Sequence, residues 1–191
     1  MEMLKELVIK SRSCRRFFQE YVIGIDTLKE LVDLARLSGS AGNIQSLRYI
    51  LSCDPEKNDL IFQSLAWAAY LEDWPGPPEG ERPSAYIVIL DDKATTMSLG
   101  CDYGIAAQSM MLGAAEKDLR GCMVASIKRE MLQDKLRIPE GYDILLVLAI
   151  GKPKERVVIE TIEPSDSIRY WRDNEEVHHV PKRALDDIII G

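Results

Sequence analysis

Four cations fall within seven residues at Lys10-Ser11-Arg12-Ser13-Cys14-Arg15-Arg16, in a chain whose formal charge is −7. Cations packed this closely repel one another, and a fold holds them most easily around an anion. Arginine forks and serine hydroxyls supply directed donors that suit a phosphate. The bland alternative is a solvated basic turn after a first helix. Taken alone, the segment slightly favours that alternative.

Little else in the chain looks like conventional catalytic machinery. Cys14, Cys53, Cys101 and Cys122 are scattered without a C-x-x-C pair, so neither a zinc knuckle nor a redox dithiol is expected. Buried free thiols are the expectation for most of them. The only histidines, His178 and His179, are adjacent. Neighbours in sequence point different ways on a strand or helix, which makes joint metal ligation awkward; no metal is expected. There is no G-x-S-x-G elbow, Walker loop or G-x-G-x-x-G turn.

The bulk properties narrow the classes further. A pI near 5.0 gives no broad basic field for recruiting nucleic acid. No apolar run approaches the ~20 residues of a membrane span. The start, Met-Glu-Met-Leu-Lys-Glu, lacks an export signal, so a cytoplasmic location is expected. At 191 residues, one well-packed domain over 1–191 suffices.

The elements that must position these residues read as follows. A first helix is expected over 3–10. A second starts at an Asp26 N-cap, repeats Leu28, Leu31, Val32 and Ala35 at helical spacing, and ends at Gly39. A small polar loop, Ser38-Gly39-Ser40-Ala41-Gly42-Asn43, leads to a strand over 48–52. Pro55 opens a short helix reaching about residue 69. Residues 74–83 hold four prolines and two glycines and read as irregular. Strands are expected over 85–90, 121–125 and 143–151, the last apolar on both faces and so central. Between them fall a small-residue helix over 99–118 and a helix over 128–136. After Gly151 the chain turns charged and loses periodicity. Forty such residues make an unusual loop, so 152–191 is expected to be an arm lying on another subunit.

Several of these segments fit one family together. Arg12-Ser13-Cys14-Arg15-Arg16-Phe17, then Ser38-Gly39-Ser40-Ala41-Gly42-Asn43-Ile44-Gln45, then Asp102-Tyr103-Gly104-Ile105-Ala106-Ala107-Gln108 through Gly113-Ala114-Ala115, then Leu119-Arg120-Gly121-Cys122, and last Leu148-Ala149-Ile150-Gly151-Lys152-Pro153 stand in order. In this order and spacing the chain resembles the FMN-dependent nitroreductase family over nearly its full length. The resemblance implies an α+β fold: a central, mostly antiparallel sheet flanked by helices, in an intertwined homodimer with an extended C-terminal arm and FMN at the subunit interface.

The resemblance also implies roles. Arg12, Ser13 and Arg15 match the phosphate-gripping motif, completed by Lys182 or Arg183. Arg16 faces away as a solvated or intersubunit residue. Gly39, Ser40, Ala41 and Asn43 match the segment lying against the flavin from the partner subunit, with Gln45 orienting it. Ala125, Ser126 and Ile127 fall where a backbone amide approaches the reactive flavin nitrogen. Trp74 and Tyr170 are pocket candidates, and Trp67 a core residue. The chain departs from the family pattern at Ser11, Ser46, Leu47 and Ser126-Ile127. The implied activity is hydride transfer from NADH or NADPH through FMN to a small flat acceptor: a nitroaromatic, quinone or enone. No side chain need act as acid or base, because a bound cofactor carries such chemistry. A flavin-binding sensor or storage module without turnover is the second reading, and a flavin-free structural dimer the third.

Overall fold

The computed structural model describes residues 1–95 and 100–191. Leu99, the expected start of the small-residue helix, lies outside them. In chain order the elements are α1 (Glu2–Lys10), β1 (Phe17–Phe18), α2 (Ile25–Leu37), a 3₁₀ turn (Ala41–Asn43), β2 (Leu47–Ser52), α3 (Pro55–Phe62), β3 (Ala85–Asp92), α4 (Asp102–Glu116), β4 (Arg120–Val124), α5 (Arg129–Leu136), β5 (Tyr142–Pro153), β6 (Val157–Ile162), β7 (Trp171–Arg172) and β8 (His178–Arg183).

β5 organises the main sheet. β3 pairs along one edge of it, and β4 and β1 share the other, β4 opposite 147–151 and β1 opposite 152–153. β2 pairs outside β3, and every pairing is antiparallel. Because alternate strand residues face opposite ways, β3 and β5 feed two cores. Ala85, Ile87, Ile89, Leu146, Leu148 and Ile150 meet α2 and α4. Tyr86, Val88, Leu90, Val147 and Ala149 meet α3, α5 and the loop after α3. Three layers follow, helix pair, sheet and helix pair, as the α+β expectation required.

Element boundaries differ where local chemistry outweighs periodicity. Gly24, not Asp26, caps α2, and Asp26 sits in its first turn, where a carboxylate still favours the helix dipole. α2 ends at Ser38 rather than Gly39. α3 starts as expected, with Asp54 accepting the Lys57 amide at 2.8 Å and Pro55 in the first turn. It stops at Phe62, short of residue 69. The chain then spends its backbone groups on another loop: the Ala66 amide donates to Ser126 (2.9 Å) and the Lys128 amide to Ser64 (2.8 Å).

The tail is not an unpaired arm along its length. β8 lies parallel to β6 and antiparallel to β7 in a small second sheet. Val177 and His178 are buried against the chain's own body. Residues 184–191 run on past β8 without a strand or helix, with Leu185, Ile188, Ile189 and Ile190 exposed.

Candidate functional site

The basic motif lies where β1 joins the sheet. The Cys14 amide donates to the Gly121 carbonyl at 2.9 Å, which ties the motif to β4. Phe17 packs over Gly151, where any side chain would collide with its ring. The motif's members then diverge. Ser13 is exposed and Arg12 half-buried, while Arg15 is buried. The Nε atoms of both Arg12 and Arg15 are buried without a hydrogen-bond partner. A buried donor without a partner costs about 1–3 kcal/mol, more for a charged group. Two such donors flanking a serine hydroxyl are what a phosphate would satisfy.

Arg15 is held from several sides. Its backbone N–H donates to Glu155 at 2.8 Å, its Nη1 lies 3.2 Å from His178 Nε2, and its guanidinium sits 4.8 Å from the Tyr170 ring centre. Glu155 has a fully buried side chain and also accepts from Arg172 Nη2 at 2.6 Å. Removing one partner from such a cluster would strand a buried charge. Burial, partly offset by Glu155, pushes the His178 pKa down to about 4. Burial, reinforced by the Glu155 charge, pushes the Cys14 thiol up to about 12. The Cys122 thiol is raised by burial as well. Neither thiol is a nucleophile at neutral pH.

Arg16 is mostly buried and paired within its own chain, rather than solvated. It forms a two-pronged pair with Glu81, Nη2 to Oε1 at 3.0 Å, and a further ion pair with Glu176. Lys154 adds a second cation on Glu81 at 2.8 Å. Arg15 and Arg16 thus take different partners, in keeping with the alternation of an extended segment. Alternation could not predict that the Pro/Gly loop returns a carboxylate to meet Arg16.

The Gly39–Asn43 loop is built around one side chain. Asp102, buried at the start of α4, accepts from the Ser40 hydroxyl at 2.7 Å and from the Ala41 amide at 3.2 Å. Ser40 in turn accepts the Gln45 amide at 3.1 Å. Gln45 donates to the Asn43 carbonyl at 3.3 Å, an orienting contact within the loop. Gly42, Asn43 and Gln45 all take positive φ. Asn tolerates that region better than most residues, and glycine freely. Gly39 and Asn43 are exposed, and both line a cavity of about 170 Å³.

Within one chain the expected site residues form separate groups. Arg12 lines a different cavity from the Gly39–Asn43 loop. Ala125 and Ser126 are exposed beyond β4, and Ile127 bridges to Leu65. Lys182 and Arg183 close β8, exposed, opposite Thr161 and Ile162. They lie four and five residues beyond His178, roughly 13–17 Å along a strand, and make no ion pair among the described residues. Tyr170 lies between Arg15, His178 and Tyr70. Trp74 lines an open surface hollow with Tyr70 and stacks on Arg172 at 4.8 Å. Trp67 is buried, as expected of a core residue.

Glu155, Arg172, His178 and Asp102 were not singled out as site builders. Asp102 had a signal, since it opens a quoted motif at a helix start. Glu155 had none, because isolated charges in a charged tail look alike. No group of histidine, cysteine or acidic residues suited to a metal occurs among the described residues.

A family model described as the nitroreductase family matches residues 81–152. The chain is 24% identical to a putative NAD(P)H nitroreductase, YodC, of Bacillus subtilis, over 86% of this chain and 96% of that protein. Among solved structures, a nitroreductase family protein from Streptococcus pneumoniae superposes with a TM-score of 0.68 at 15% identity, covering 98% of each chain. An FMN-dependent nitroreductase from Clostridium difficile gives 0.62 at 19%, covering 82% of this chain and 89% of that one. The chain therefore has the nitroreductase fold, and the family's sequence model spans the motifs in α4, in β4 and at the end of β5, while Arg12–Phe17 and Ser38–Gln45 lie outside the matched residues.

Proposed function

We propose that the chain is an FMN-dependent NAD(P)H oxidoreductase that works as a homodimer. The observation that carries the reading is the pair of buried, partnerless guanidinium nitrogens on Arg12 and Arg15 beside the exposed Ser13 hydroxyl. The donor set fits a dianionic phosphate in charge and in directed hydrogen bonds. Bound FMN would supply two-electron hydride chemistry between a nicotinamide and a small flat acceptor such as a nitroaromatic, quinone or enone.

The protein's own share is to bind and orient. Arg12, Ser13 and Arg15 hold the phosphate, with Lys182 or Arg183 adding charge. Asp102 keeps the Gly39–Asn43 amides in place for a ring edge, where Asn43 can both donate and accept. The amides of 125–127 are offered to the electron-rich ring. Trp74 and Tyr170 give aromatic walls to the acceptor's pocket. The separation of the Arg12 group from the Gly39–Asn43 loop within one chain supports a site assembled from two. The exposed apolar residues of α1 and of 184–191 support the same arrangement.

An absorbance spectrum tests this. The purified protein should be yellow, or become so with FMN, and should bleach anaerobically with NADH or NADPH. A protein that stays colourless after incubation with FMN and gel filtration sinks the reading. Flavin that is retained but never bleaches points instead to a storage or sensing module.

A further inference from the structure

A second polar cavity lies beneath β3, away from every residue assigned to the flavin. It has a volume of about 150 Å³ and is lined by the end of β2, the first turns of α3, the segment 19–23 and the residues entering β3. Three of its lining residues each leave a buried side-chain atom without a partner: Arg82 Nε, Ser84 Oγ and Tyr86 Oη. Tyr86 is fully buried, and burial raises its pKa, so its hydroxyl remains a donor at any physiological pH.

The cluster is unusual because its neighbours are satisfied. Asn58 accepts from Ser52 at 2.7 Å and donates to the Ser84 carbonyl at 2.8 Å. Arg82 lies over the Phe62 ring at 4.4 Å, and its Nη1 reaches Asp59 only at 3.4 Å, leaving Nε unused. Asp59 is more than half exposed, so its charge is partly spent on solvent. What remains is one cationic donor and two hydroxyls, in a cavity whose lining also includes the apolar Phe62, Ile23 and Val22.

We propose that this cavity binds a small monocarboxylate with a flat or branched apolar tail, up to the size of benzoate. A carboxylate has acceptor sites for all three donors and balances the arginine. A cavity of about 150 Å³ is large enough for a single benzene-sized ring. The site is independent of the flavin site: none of the flavin candidates lines it.

Calorimetric titration of the full chain with benzoate, at saturating FMN, tests the proposal, with benzamide as the neutral control. Saturable benzoate binding is expected, with benzamide much weaker. Tyr86→Phe removes an atom that has no protein partner, so the fold should survive; affinity should fall about fivefold, as for one neutral hydrogen bond. Arg82→Gln should cost tenfold or more, as for a charged one. Absence of saturable binding overturns the proposal. So does binding that both variants leave unchanged, or binding that FMN abolishes.

Discussion

Nε2 of His178 lies 3.2 Å from Nη1 of Arg15. Arginine has no acceptor to offer, so the imidazole accepts and its proton resides on Nδ1. His178 is therefore held neutral by geometry as well as by burial. Its neighbour has the opposite fate. His179 Nδ1 meets Glu160 at 2.5 Å, its Nε2 meets Asp173 at 3.1 Å, and its ring stacks on Trp171. The hydrogen bonds to Asp173 and then Glu160 raise its pKa.

These adjacent histidines should titrate on opposite sides of the ordinary value. His178, depressed from 6.5 to about 4, contributes stability that is complete above 6.5 and is lost as pH falls towards 4. His179, raised, contributes stability present below 6.5 and lost as pH rises through its folded value. A proton NMR titration should resolve one imidazole on each side of 6.5. Two coincident curves near 6.5 would contradict both environments. His178→Gln keeps an acceptor for Arg15 and should flatten the stability profile between pH 4 and 6.5.

Glu81 should govern a lower pH window. Hydrogen bonds from Arg16 and then Lys154 lower its pKa from 4.5 to about 2. Its contribution is full above 4.5 and disappears as pH falls through about 2. Glu81→Gln should cost about 2 kcal/mol at neutral pH, the range for charged hydrogen bonds, and should shrink the difference from the parent in acid. Urea midpoints at pH 7 and pH 3 measure it; equal midpoints at pH 7 would remove Glu81 from the motif's support.

Asp102 should act on the flavin through the loop alone. Asp102→Asn removes the charge that strengthens the bonds from the Ser40 hydroxyl and the Ala41 amide, and puts an NH2 donor in place of one acceptor oxygen. Faster hydrogen exchange at Ala41 and Gln45 is expected, with FMN affinity falling about tenfold. Unchanged exchange at those amides would show that the loop holds itself.

Arg12→Ala should lower FMN affinity about tenfold or more, as for a charged hydrogen bond. It should leave stability nearly unchanged, because Arg12 Nε has no partner to lose. Fluorescence titration with FMN and a thermal melt on the same sample separate the two. A large loss of stability with unchanged affinity would make Arg12 structural.

Glycines in the sheet and in α4 should behave differently. A Cβ on Gly121 would lie 2.5 Å from the Ala149 carbonyl, a backbone atom that cannot yield. Gly121→Ala should cost roughly 3 kcal/mol or more. Gly104 has nothing within 4 Å of the same position, so Gly104→Ala should gain roughly 0.5–1 kcal/mol from the helix. Chemical denaturation that ranks them the other way would refute the packing of β4 on β5.

Much of the layered fold was readable because it rests on local periodicity. Leu28, Leu31 and Ala35 recur on one helix face, and the run from Ile144 to Ile150 is apolar on both faces; each specifies an element by what it must bury. The motif order, with its arginines, its glycine loop and its small-residue helix, was enough to place the chain by resemblance. Long-range pairing was beyond it. The closure of Glu81 on Arg16, Asp102 on Ser40, and Glu155 between Arg15 and Arg172 joins residues 17 to 140 positions apart. Asp102 opens a motif at a helix start, but nothing near Glu81 or Glu155 in sequence marks its partner. A charge on a loop carries no sequence sign of its partner, because the partner is chosen by where the sheet brings the chain back. The same reason decided the tail: its charged, aperiodic residues read as an arm for another subunit, whereas β6 and β7 pair with β8 and His178 is buried against Arg15.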